Sequence, residues 1–178
     1  MNREQLEHAI RAACDVSGDR ELFVFGSQAI LGQFPDADEQ LRRSIEVDLS
    51  PKNKPETIDR IDGALGENSV FHQTHGFYVH GVSVETAALP EGWKGRTNKV
   101  QDYMDEQKVG WCVEAHDLAA SKLIAFREKD TSFVRRLILG DLINVEELFS
   151  RLQLINTDKE LEERARNWLK RIAEELDR

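Results

Sequence analysis

The sequence predicts an α/β (α+β) fold: a mixed sheet with flanking helices, followed by a helical C-terminal lobe. Three observations predict it. A compact apolar run, Glu21 to Phe25, is followed at once by Gly26-Ser27. An alternating segment, Ser44 to Leu49, has a side-chain period of two. Beyond about Ala115, apolar residues recur at helical spacing and strand signals stop.

Taken in order, Arg3 to Val16 places Leu6, Ile10 and Ala13 on one helix face. Glu21 to Phe25 reads as a buried strand, and Gln28 to Leu31 as a helical segment ending near Gly32. In the second strand Ile45, Val47 and Leu49 form the apolar face, and Ser44, Glu46 and Asp48 the other. Pro55 to Leu65 reads as a helix with Ile58, Ile61 and Leu65 inward, and Phe77 to Ala87 as a third strand. Asn98 to Met104 and Val109 to Val113 are weaker strand signals. Asp117 to Arg127 and Thr131 to Leu139 read as helices. Capping-box patterns at Asn144 and Thr157 announce two more. The expected organisation is a core over residues 1–114 and a helical lobe over 115–178, forming one compact unit.

The chain has 178 residues, 40% hydrophobic and 32% charged. At this length about 70% of the unfolded surface can be buried, so folding needs no disulfide or metal staple. No apolar run nears the ~18 residues of a spanning helix, and the N-terminus lacks a signal-peptide core. Cys14 and Cys112 stand in no C-x-x-C pattern and fit a reducing cytoplasm as core fillers. The net charge of −9 argues against a general nucleic-acid binder, whose affinity rests on phosphate contacts. Nucleic acid as substrate then needs a local basic patch. The acidity also suits Mg²⁺ or a basic protein partner.

Neither G-x-G-x-x-G nor G-x-x-x-x-G-K-[ST] occurs. What remains is a strand running into Gly26-Ser27, and some twenty residues on a strand bearing Glu46 and Asp48 at i, i+2. Those carboxylates share a face, with Cα atoms ~6.6–6.8 Å apart, and can converge on Mg²⁺. Gly26 permits close backbone approach, and Ser27 with nearby helix N–H groups can meet a phosphate. Each piece also has a structural reading: Gly-Ser as a turn with its cap, Glu-x-Asp as a solvated face. Lys122, Arg127, Lys129, Arg135 and Arg136, against Glu128 and Asp130, form the best candidate phosphate footprint. Arg42 and Arg43 are secondary. His72, His75 and His80 have a metal-like look but lack a completing ligand. Gly92-Trp93-Lys94-Gly95 matches a G-x-x-G loop but reads better as a turn.

The order G-S … [DE]-x-[DE] resembles that of polymerase-β-like nucleotidyltransferases. Phe25 to Gly32 and Ser44 to Asp48, with Ile61 to Glu67, Phe71-His72, Gly81 to Ala87, Leu89 to Trp93, Gly110 to Glu114, His116 to Leu123 and Arg127 to Asp130, are similar to small bacterial nucleotidyltransferase-like proteins. The likeness runs from about Leu22 to Leu142 and is to the MenT group of toxin–antitoxin toxins and, more distantly, the AbiEii type. It implies Mg²⁺-dependent transfer of a nucleotide, often a pyrimidine, from an NTP to the tRNA 3′ end. It further implies arrest of translation and a cognate antitoxin. Ser27 then matches a phosphate-binding serine, Glu46 and Asp48 the metal pair, and Lys122 a lysine facing the triphosphate. Asp130 would orient Lys122 or pair with Arg127. A third carboxylate is expected on a later strand, with Glu85 the weak candidate. Two rivals stay open: transfer onto a protein such as the antitoxin, and a degenerate module that binds a nucleotide or partner without catalysis.

Overall fold

The computed structural model describes residues 1–102 and 104–176. Tyr103, inside the expected strand Asn98 to Met104, lies outside the described residues, as do Asp177 and Arg178. The fold is mixed α/β, with a five-stranded sheet, flanking helices and a helical C-terminal region. The chain divides into two units, Met1–Thr86 with Arg96–Glu114, and Ala87–Gly95 with Ala115–Arg178.

In the first unit, α1 (Arg3–Ser17) opens with Asn2, whose side chain accepts the Gln5 N–H, and Gln5 returns a bond to the Asn2 N–H. It closes on left-handed Gly18, whose N–H reaches the Cys14 carbonyl. The strands are β1 (Glu21–Phe25), β2 (Glu46–Pro51), β3 (Tyr78–Gly81), β4 (Asn98–Asp102) and β5 (Asp105–Cys112). Their order is β3-β2-β1-β5-β4. β1 pairs antiparallel with β2 and parallel with β5, while β3 lies parallel to β2 and β4 antiparallel to β5.

One face of this sheet is apolar. Leu22, Val24, Val47, Leu49, Val79, Val100 and Cys112 are fully buried, as are Leu6, Ala9 and Ala13 of α1. Gly110 of β5 sits beneath Ile10, whose Cγ1 would be 2.9 Å from any Cβ there, which seats α1 on this face. The alternation expected for β2 holds from Val47 onward. Ile45, expected inward, is 47% exposed because the strand begins one residue later.

Other boundaries differ from expectation for local reasons. The helix expected at Gln28 is a 3₁₀ helix, Ser27–Gly32. Pro55–Thr57 is a 3₁₀ turn that leads into α2 (Ile58–Leu65). The third strand stops at Gly81, and Val84–Thr86 forms a 3₁₀ turn closed by the Thr86 N–H on the Ser83 carbonyl. Gly81 ends it because α2 crosses closely: a Cβ there would stand 2.5 Å from the Ile58 carbonyl oxygen. The sequence reading omits α3 (Val70–His75), a short helix capped by the Ser69 hydroxyl and ended by left-handed Gly76.

The second unit holds α4 (Ala115–Ala125), α5 (Glu128–Leu139), α6 (Val145–Leu152) and α7 (Lys159–Leu176). Leu118, Leu123, Leu137, Leu148, Leu152, Ala165 and Leu169 are buried. The Asn144 side chain caps α6 by accepting the Glu147 N–H. Gly92 to Gly95, the G-x-x-G match, is a turn in which the Gly95 N–H bonds the Gly92 carbonyl. Among the described residues, no helix is long and apolar enough to cross a membrane.

Candidate metal centre

The period of β2 puts Glu46 and Asp48 on the sheet face opposite α1. Strand register then brings in a third donor. Asp48 pairs with Phe25 of β1 on one side and with His80 of β3 on the other, and Glu46 pairs with Tyr78. Residues opposite one another across a ladder share a face. His80 Nδ1 accordingly lies 3.1 Å from Asp48 Oδ1 and 3.2 Å from Glu46 Oε1. The donor atoms of Glu46, Asp48 and His80 all fall within 4.8 Å of one another. All three side chains are partly exposed, so a cation and its remaining water ligands can reach them.

Two neighbours shape this cluster. Tyr78 lies opposite Glu46 in the β2–β3 ladder, and its phenol is pushed above its ordinary pKa first by burial and then by the charge of Glu46. Gly26 ends β1 beside Asp48 with φ 67° and ψ −171°, a region essentially confined to glycine. A Cβ there would overlap Asp48 Oδ2 and stand 3.0 Å from its Cγ.

Ser27 opens the 3₁₀ helix, whose first bond runs from the Ala29 N–H to the Gly26 carbonyl. This helix has six residues, so the dipole expected of a longer helix is small. Gln28, next in line, is fully buried, and among the described residues neither its amide oxygen nor its amide nitrogen has a partner.

The structure distributes the remaining candidates. Arg42 and Arg43 line a cavity of about 470 Å³ with Met1, Asn2, Gln5 and Glu39. Glu85 sits in the 3₁₀ turn after β3 rather than on a strand. Of the three histidines, only His80 joins the carboxylates. His72 Nδ1 accepts the Asn68 N–H, and His75 stacks on His8 and Phe71 at 4.5 and 4.6 Å. The sequence reading did not assign His80 to the carboxylates. The one available signal was a histidine at even parity in a strand directly after Tyr78-Val79.

In the second unit Lys122, Arg127 and Asp130 form a closed cluster. Asp130 is fully buried. Its Oδ2 accepts Arg127 Nε at 2.6 Å and the Arg127 backbone N–H at 3.2 Å. Its Oδ1 accepts Arg127 Nη2 at 3.2 Å and Lys122 Nζ at 3.3 Å. Burial pushes the Asp130 carboxyl up, but Arg127 and Lys122 together hold it below the usual range. Burial dominates at Lys122, whose ammonium is 4.7 Å from the Phe133 ring centre. Its pKa is lowered because the Asp130 contact returns less than desolvation costs. Lys122 is therefore neither a solvated helix lysine nor part of an exposed basic stripe. Arg135 is also engaged, with Glu175 at 2.8 Å.

Two strand carboxylates and an imidazole converge beside a strand-end glycine on a mixed sheet, and this donor set could hold a divalent cation. The chain belongs to a family described as nucleotidyltransferase of unknown function (DUF6036), which matches residues 4–176. Comparison with curated proteins and with solved structures returns no match.

Proposed function

We propose that the chain transfers a nucleoside monophosphate from an NTP to an acceptor hydroxyl, using a divalent cation held by Glu46, Asp48 and His80. The carrying observation is the convergence of these three donors, with Gly26 clearing space for Asp48, in a member of a nucleotidyltransferase family. When bound, the cation supplies positive charge to the phosphates, and the resemblance noted above implies Mg²⁺. Glu46 and Asp48 orient that charge from a rigid strand. The Ser27 hydroxyl is the candidate donor to a phosphate oxygen. The acceptor oxygen attacks the α-phosphorus and pyrophosphate leaves. Positioning and charge stabilisation account for the rate. In the second unit Arg127, whose side chain is exposed, is the candidate to meet phosphate charge, and the buried Asp130 holds its guanidinium.

The finer reading, a toxin acting on the tRNA 3′ end with a pyrimidine nucleotide and countered by an antitoxin, is supported by the motif resemblance. The acidic net charge favours a protein acceptor as the second reading.

The test is label transfer. Purified protein, Mg²⁺ or Mn²⁺ and each α-³²P-NTP are incubated with total tRNA, with Asp48→Asn as control. Label on tRNA that disappears in Asp48→Asn is the expected result. Label on protein alone selects the second reading. No label from any NTP with either cation overturns the transferase proposal and leaves a binding module.

A further inference from the structure

The geometry points to His80 as a direct cation ligand, and to an imidazole that makes the centre prefer a first-row transition cation to Mg²⁺. The inference rests on the cation-site reading above and concerns which cation that site takes.

The separations support ligation. His80 Nδ1 stands 3.1 Å from Asp48 Oδ1, a hydrogen-bond contact, and 3.2 Å from Glu46 Oε1, and all three donor atoms lie within 4.8 Å of one another, close enough for one ion to take them together. The backbone holds it there. Asp48 and His80 are paired in the β2–β3 ladder, and Gly81, next to His80, is seated against the backbone of α2. The imidazole therefore comes from ordered strand rather than from a mobile loop.

The donor chemistry supports selectivity. Mg²⁺ is a hard ion that takes oxygen ligands and keeps several waters. A set of two carboxylates and one imidazole carries two negative charges, where three carboxylates would carry three. It offers Mg²⁺ one fewer oxygen. Imidazole nitrogen binds transition cations better than it binds Mg²⁺, and affinities rise along the first row from Mn²⁺. Mn²⁺ is the suitable probe, because it accepts both carboxylate oxygen and imidazole nitrogen and is paramagnetic.

Pulsed electron paramagnetic resonance on the full chain with Mn²⁺ alone, without nucleotide or acceptor, reads ligation directly. The wild-type spectrum is expected to carry ¹⁴N modulation from a coordinated imidazole, and His80→Asp and His80→Asn to lose it. In His80→Asp, the ratio of Mg²⁺ to Mn²⁺ needed to displace half the bound Mn²⁺ is expected to fall about tenfold. Circular dichroism melts establish that both variants fold. Mn²⁺ bound without ¹⁴N modulation, an unchanged displacement ratio in His80→Asp, or no Mn²⁺ binding at millimolar concentration each overturns the assignment. A ¹⁴N signal together with no label transfer upholds His80 as a ligand and sinks the transferase reading instead.

Discussion

The carboxylate of Asp48 occupies the space in which a side chain at Gly26 would begin. A Cβ on Gly26 would overlap Asp48 Oδ2, and the glycine's own backbone, at φ 67° and ψ −171°, is one that other residues adopt only under strain. The end of β1 and the acid pair of β2 are therefore one construction. Gly26→Ala is expected to cost about 1–3 kcal/mol in backbone strain. It also displaces the Asp48 carboxylate. Thermal melts with and without Mn²⁺ check this: the variant should melt lower and lack the cation-dependent rise in Tm expected of wild type. A full cation-dependent rise in Gly26→Ala would show that Asp48 tolerates the displacement.

Asp130 and Lys122 should respond unequally to removal. Asp130 is fully buried and serves two cations, so Asp130→Asn leaves Lys122 buried without its anionic partner. Breaking a buried pair this way costs about 3–5 kcal/mol. Lys122→Met keeps an aliphatic stem beside Phe133 and leaves Asp130 with Arg127. The Asp130→Asn midpoint should drop by at least about 6 °C, and that of Lys122→Met by less than half as much. Equal losses would mean that Lys122 is the main anchor of the cluster.

Asp19 contributes to the acid limb of stability. Burial raises its carboxyl pKa, but the Asn53 side chain and the backbone N–H groups of Asn53, Glu21 and Lys54 outweigh this and hold it below the usual range. These bonds tie the start of β1 to the loop after β2. A carboxylate whose folded pKa is depressed stabilises the fold above its unfolded pKa near 3.9, and that stability is lost as pH falls through the folded value. Asp19→Asn should therefore be less stable than wild type by about 1–3 kcal/mol at pH 7. The gap should close below about pH 4. Urea titrations at pH 7, 4 and 3 measure it, and a gap that stays constant with pH would assign the loss to geometry rather than charge.

Gln28 should improve on replacement. Its amide is wholly buried with both polar atoms unpartnered, an arrangement that costs about 1–3 kcal/mol. Gln28→Met retains length and volume without the polar atoms. Its Tm should rise by a few degrees. A fall would reveal a partner for the amide in solution.

Much of the framework was legible because it is local. The β1 run ends at Phe25 as its apolar pattern indicates, and the two-residue period of β2 assigns Glu46 and Asp48 to one face whatever packs around it. Helix α1 follows from the helical spacing of Leu6, Ile10 and Ala13. The third strand misled because Val82 and Val84 extend the β-branched run past Gly81, although on the opposite parity to the buried Phe77 and Val79. The close backbone of α2 stops the strand there, and α2 comes from a different stretch of chain. The burial of Lys122 was not legible for the same kind of reason: the turn between α4 and α5, with Phe126 at φ 57°, brings Asp130 beside it and buries both.

The sequence by itself determined that this chain carries a carboxylate pair on a strand that follows a Gly-Ser strand end, because side-chain parity and glycine's freedom are properties of a few consecutive residues. Only the tertiary structure decided that a histidine completes the cluster. His80 lies 32 positions from Asp48, and what joins them is the register of the parallel β2–β3 ladder. The buried Val79 sets the face His80 takes, but that β3 lies beside β2, with His80 opposite Asp48, follows only from how the strands pack.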